Sequence, residues 1–170
     1  MFDAELRDEL LRRMERDQAV RTAAPIGEPL SRELDQEWDA VDTGNTAFLK
    51  RVIAERGWPG RDMVGEEAAH AAWVLAQHAD QDPEFQRGCL PLLKAAVDAG
   101  QVTPSEWAYL LDRVCVAEGR SQVYGTQYWT QNGVFGPRPI EDPDRLDERC
   151  AEVGLAPQAD YDRTMRELYE

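Results

Sequence analysis

Basic residues are in short supply in this chain. Its 170 residues include 19 Lys and Arg against 33 Asp and Glu, a formal net charge of −14 with neutral histidines. Polyphosphate backbones and anionic bilayers are held by concentrated basic faces, so nucleic acid and membrane surfaces are excluded as main partners. Cysteine is scarcer still. Cys89, Cys115 and Cys150 are odd in number, far apart and without a CxxC pair. That spacing offers neither a disulfide framework nor a zinc site, and it fits reduced thiols in the cytoplasm. No apolar run approaches the roughly 18 residues of a membrane span. The opening Met1-Phe2-Asp3-Ala4-Glu5 is acidic where a secretory signal is basic and then apolar. Gly-x-Gly-x-x-Gly, Gly-Lys-Ser/Thr and Gly-x-Ser-x-Gly are all missing, so neither an organic cofactor nor a serine nucleophile is expected.

The apolar content is ample. Hydrophobic residues make up 42% of the chain and include five Trp, too many for a disordered polypeptide. A chain of this length buries about 70% of its unfolded surface, which suits one helical domain over residues 1–170 with C-terminal helices from 143 onward packed on the main bundle. Helical periodicity predicts a first helix over residues 3–21 carrying Leu6, Leu10, Leu11 and Met14. A Pro/Gly loop over 24–29 follows, then a short helix over 31–39 and another capped by Asn45 that ends at Gly57. A central Ala-rich helix is expected over 62–79, its stripe running Val64, Ala68, Ala71, Leu75, His78. Asp82-Pro83 and the capping box Thr103-Pro104-Ser105-Glu106 open two more helices, closed by Gly100 and Gly119. Asn132-Gly133 predicts a β-hairpin or ordered loop near 122–136, flanked by a strand-like Val123 to Thr130. Two further helices, from 142 to about 153 and over 157–168, complete the chain. The expected fold is therefore all-α, a compact bundle of about seven helices with one small β insertion.

His78 is the leading candidate for chemistry, because it continues an apolar stripe and an imidazole is suited to acid–base work near neutral pH. Gln77 beside it offers an amide to a substrate. Asp80, Asp112 and Asp17 are candidate carboxylates to orient the imidazole. Arg113, beside the Trp107–Ala117 stripe, suits an anionic substrate group, and Asp17 with Arg21 forms an i,i+4 pair that also reads as a simple surface ion pair. Gln122, Tyr124, Thr126 and Gln127 crowd amides, a phenol and a hydroxyl around Gly125, and strand alternation puts Gln122, Tyr124 and Thr126 on one face. His70 follows Glu66 and Glu67 at helical spacing, half of a di-iron carboxylate motif. The second half is missing, since Val74 and Leu75 precede His78, and no metal is expected.

Asp17-Gln18 with Arg21, Gly57-Trp58-Pro59, Gln77-His78-Ala79-Asp80, Asp112-Arg113-Val114 and Gln122-x-Tyr124-Gly125-Thr126-Gln127 together resemble a bacterial family of domains of unknown function. The resemblance covers most of the chain and adds Trp58 to the candidate site residues. It implies a shared domain and no particular activity. Polar and aromatic residues from separate segments converging on one interhelical pocket suggest a small cytosolic enzyme. Its expected chemistry is hydrolysis or proton transfer (elimination, isomerisation or cyclisation) on a small molecule or modified peptide. The rivals are a non-catalytic ligand- or protein-binding module and, third, a metal-dependent hydrolase.

Overall fold

The structure, a computed structural model, describes residues 1–24 and 29–169. Most of the loop expected over 24–29 lies outside the described residues. The chain divides into two compact units, Met1–Val102 and Thr103–Glu170. Among the described residues, no helix is long and apolar enough to cross a membrane.

The first unit holds α1 (Ala4–Thr22), α2 (Arg32–Arg56), α3 (Arg61–Val64), α4 (Glu66–Gln77) and α5 (Pro83–Asp98). Asp3 caps α1 by accepting from the Leu6 N–H at 2.9 Å, and Leu6, Leu10 and Val20 turn inward from it. Helix α1 packs on α4 and α2, and α5 packs on α4. Ala68, Ala71, Ala72 and Ala76 are fully buried on α4. Such short side chains let neighbouring backbones approach closely and leave room for Leu10, Leu49, Leu75 and Leu93, each 0–1% exposed. A fully buried leucine contributes about 1.5–3 kcal/mol.

Two expected boundaries move. The central helix is not continuous over 62–79: Gly65, at φ +82°, turns the chain between α3 and α4, and the helical stripe resumes at Ala68. The short helix at 31–39 and the helix expected to start at Asn45 are one element, α2. Asn45 is no cap but a buried residue within it, its Oδ1 accepting from Arg13 Nη1 at 3.2 Å. A polar side chain with a partner on α1 removes the reason for the helix to stop there.

The second unit holds α6 (Pro104–Ala117), the hairpin β1 (Tyr128–Gln131) and β2 (Val134–Pro137), a 3-10 turn (Pro143–Arg145), α7 (Leu146–Glu152) and α8 (Gln158–Tyr169). Thr103 and Glu106 form the expected capping box. Antiparallel pairing runs from Tyr128 with Pro137 to Gln131 with Val134. Asn132 and Gly133, at φ +53° and +78°, supply the positive-φ pair that a two-residue turn requires. The strand is shorter than expected, because residues 123–127 are irregular. Asp112 on α6 draws their N–H groups inward, as described below. The helix expected from 142 begins instead as the 3-10 turn, and in α8 Tyr161 and Met165 are half-buried while Leu168 is exposed. All three cysteines are buried, Cys89 in the first unit and Cys115 and Cys150 in the second.

Candidate functional site

Five residues of the first unit, Asp17, Arg21, Trp38, Asp42 and His78, meet at one point. Asp17 and Arg21 stand four apart late in α1, so they share a helical face, and Trp38 and Asp42 do the same in α2. His78 is the residue that ends α4, with its backbone N–H donating to the Val74 carbonyl oxygen at 3.0 Å. Its Nδ1 lies 2.7 Å from Asp17 Oδ2, although the two residues are 61 positions apart in sequence. Arg21 links the rest. Its Nη2 donates to Asp17 Oδ1 at 3.1 Å and to Asp42 Oδ1 at 2.6 Å, while its Nε lies 3.1 Å from Asp17 Oδ2 and 2.9 Å from His78 Nδ1. Trp38 Nε1 donates to Asp42 Oδ2 at 2.9 Å, and its ring lies under the guanidinium at 4.6 Å.

His78 Nδ1 sits between an acceptor and a donor: Asp17 Oδ2 lies 2.7 Å away, and the Arg21 Nε–H is shared between Nδ1 at 2.9 Å and the same Asp17 oxygen at 3.1 Å. Nε2 has no hydrogen-bond partner among the described residues. The Asp17 side chain is fully buried, whereas that of His78 is 20% exposed. Solvent therefore reaches the imidazole and not the carboxylate behind it.

The two carboxylates are driven in opposite directions. Burial pushes Asp17 up, but hydrogen bonding to His78 and the charge that imidazole carries when protonated, joined by the hydrogen bond and charge of Arg21, outweigh it and hold Asp17 below its ordinary value. Burial also pushes Asp42 up. Arg21 opposes that only in part, the neighbouring Asp17 charge adds to it, and Asp42 stays raised. Titratable groups driven apart in this way divide roles, one staying ionised and the other accepting a proton more readily.

Other expected site residues lie elsewhere. Gln77 is 6% exposed, and its Oε1 is buried without a hydrogen-bond partner among the described residues. The Asp80 Oδ1 accepts from Gln86 Nε2 at 3.2 Å, and the carboxylate hydrogen-bonded to His78 is that of Asp17. Trp58 lines a separate cavity of about 550 Å³ with Met63, Leu92 and Gln101. A groove of about 250 Å³ lies one residue along from Asp42 and three along from His78, lined by Thr43, Thr46, Lys50 and Gln81. The His70 ring packs against Trp73, with centroids 5.1 Å apart, and no group of three His, Cys, Asp or Glu among the described residues is arranged to hold a metal. Trp38 and Asp42 escaped the sequence reading. Their signal was an i,i+4 aromatic–acid pair, hidden by the expectation that the helix ended at 39.

In the second unit, Asp112 and the 122–127 segment form an independent network. Asp112 is fully buried. Its Oδ1 accepts from the N–H groups of Val123 at 2.7 Å and Tyr124 at 2.9 Å. Its Oδ2 accepts from the N–H and the hydroxyl of Thr126, both at 2.9 Å. Gln122, equally buried, donates to the carbonyls of Gln127 at 3.0 Å and Arg138 at 2.9 Å and accepts from the Gln127 N–H at 2.8 Å. Gln127 Oε1 accepts from Arg113 Nη1 at 3.5 Å, and the Trp107 ring meets Tyr124 edge-on at 6.3 Å. Burial, with Asp112 adding, pushes the Tyr124 phenol up, which keeps its proton on at neutral pH. Because the segment is irregular, Gln122, Tyr124 and Thr126 do not line one strand face. Their polar groups and those of Asp112 hold the backbone of this loop.

Gly125 takes φ +72°, and a Cβ there would lie 2.7 Å from Gln158 Oε1 and 3.1 Å from Ile140 Cδ1. Gly125→Val is accordingly expected to cost about 1–3 kcal/mol in a urea melt, against less than about 1 kcal/mol for Val123→Ala at a half-exposed position. Equal and small costs would show that the loop tolerates a side chain there.

The sequence matches the profile of a family of unknown function, DUF6624, over residues 4–170. The chain belongs to this family. No curated protein and no solved structure matches it. For this DUF6624 protein, the family supplies a shared domain and no activity.

Proposed function

We propose that this DUF6624 chain is an acid–base enzyme in which His78 exchanges a proton with its substrate through Nε2 and Asp17 is the positioning residue behind it. The observation that carries the reading is the 2.7 Å bond from His78 Nδ1 to a fully buried Asp17, which leaves Nε2 unengaged among the described residues on the one-fifth-exposed side chain. A carboxylate on Nδ1 fixes the tautomer that presents a basic Nε2. When Nε2 takes a proton from substrate or water, the resulting imidazolium faces the Asp17 anion, and the same proton is then returned to the leaving group or to a neighbouring carbon. Arg21 is clamped by Asp17 and Asp42, so it holds the dyad in place instead of gripping substrate. The chemistry is hydrolytic or proton-transferring, on a small molecule or modified peptide, in the cytosol.

A panel of ester, amide, lactone and α-proton-exchange substrates, run in parallel on wild type and His78→Gln, tests this. Turnover by the wild type is expected to fall about 10²-fold in the variant, with the melting midpoint close to wild type. Turnover that survives the substitution defeats the assignment. A ligand found by thermal shift that binds both proteins equally, with no turnover of any kind, favours the non-catalytic binding module.

A further inference from the structure

A chain with 33 acidic and 19 basic residues gives most guanidinium groups a carboxylate. In the second unit Arg120 pairs with Glu118, Arg145 with Asp142, Arg163 with Asp160 and Arg166 with Asp162. Arg138 differs. It makes no ion pair among the described residues, and its guanidinium carbon lies 4.4 Å from the centroid of the Trp129 ring. Attraction to the indole face holds the guanidinium in place without using its N–H donors, which stay available to an acceptor.

The backbone beneath this side chain is also fixed. The Arg138 N–H donates to the Gln127 carbonyl at 2.9 Å, and its own carbonyl accepts from the buried Gln122 amide at 2.9 Å. Arg138 and Trp129 line a groove of about 250 Å³ together with Arg120, Ser121, Val116 and Pro139. Arg120 directs its Nε and Nη2 to Glu118 Oε2, at 2.9 and 2.6 Å, so its charge is largely compensated and Arg138 supplies most of the uncompensated charge at the groove. The volume is below the roughly 300–1,000 Å³ of drug-sized sites. It suits a ligand of a few heavy atoms.

We propose that this groove is a binding site for a small oxyanion, a carboxylate or a phosphate, gripped by the Arg138 fork with Ser121 as a hydroxyl donor. The site stands independently of the Asp17–His78 reading. An anchored backbone, a guanidinium held on an indole and no counter-ion among the described residues together favour recognition of an oxyanion by the fork.

Titration calorimetry of the full chain with sodium phosphate and with succinate, against sodium chloride at matched ionic strength, tests the proposal. Saturable binding of at least one probe is expected, weakening as salt is raised. Binding of phosphate alone identifies a phosphate-bearing ligand, and binding of succinate alone a carboxylate. Arg138→Gln is expected to weaken binding about tenfold or more with the melting midpoint unchanged. Arg138→Lys keeps the charge without the planar fork and is expected to lose several-fold, which decides the matter should the Gln variant fail to fold. Glu118→Gln should release Arg120 and tighten binding. Heats no greater than those of chloride for both probes, or wild-type affinity in the Arg138 variants, would overturn the proposal.

Discussion

Arg21→Gln is expected to destabilise the first unit by about 3–5 kcal/mol at neutral pH, and by less when the pH is lowered. The guanidinium is the one fixed cation hydrogen-bonded to both Asp17 and Asp42, whose side chains are 0% and 8% exposed. Removing it leaves two carboxylates in a nearly dry site with only His78 and Trp38 as partners from this cluster, and also strips the cation from the Trp38 ring. The pH dependence follows from the two directions of shift. Asp17 is depressed, so its contribution is present above the ordinary carboxylate value of 3.8 and is lost as pH falls through its lower folded value. Asp42 is raised, so its contribution is full below 3.8 and is lost as pH climbs through its folded value. Without Arg21, Asp42 loses the group that opposes its rise and takes up a proton at higher pH still. Urea melts at about pH 7 and about pH 5 should therefore show the deficit shrinking in acid. A deficit that is constant across that interval, or below about 1 kcal/mol at neutral pH, contradicts the charge balance described for this site.

Asp112→Ala is expected to cost the second unit about 3–5 kcal/mol. The loss falls on the groups left behind: the N–H groups of Val123, Tyr124 and Thr126 and the Thr126 hydroxyl all point at one buried carboxylate. Alanine offers none of them an acceptor. Asparagine does only half the work, because its amide nitrogen would meet backbone N–H groups with hydrogens of its own. Asp112→Asn should accordingly lie between alanine and wild type in a denaturant melt. Wild-type stability in both variants would mean that the loop finds other acceptors.

Local signals in the sequence located those elements whose ends are set by their own residues. Thr103 with Glu106, Asp82 with Pro83, and Asn132 with Gly133 each carry their structural cause within four positions, and each stands where it was expected. The errors share one source, which is tertiary contact. Nothing local distinguishes Asn45 as a helix cap from Asn45 as a buried acceptor for Arg13, and Gly65 interrupts a stripe that reads as continuous on either side. The dyad was half legible. Periodicity marked His78 as inward-facing, and the i,i+4 spacing joined Asp17 to Arg21, but whether that pair lies on the surface or beneath His78 is decided by how α1 packs on α4. Asp112 showed the same limit: a carboxylate inside an apolar stripe signals burial, while its partners lie 11 to 14 residues further on.

The three buried thiols make this protein its own reporter of local opening. Burial, with a smaller push from Asp82, raises the Cys89 thiol to about 12, and burial likewise raises Cys115 and Cys150, so the thiolate that reacts with alkylating reagents is suppressed at all three. Labelling must wait until the surrounding packing gives way. Because Cys89 belongs to one unit and Cys115 and Cys150 to the other, timed alkylation followed by peptide mass analysis would clock the opening of each unit separately, without an introduced probe.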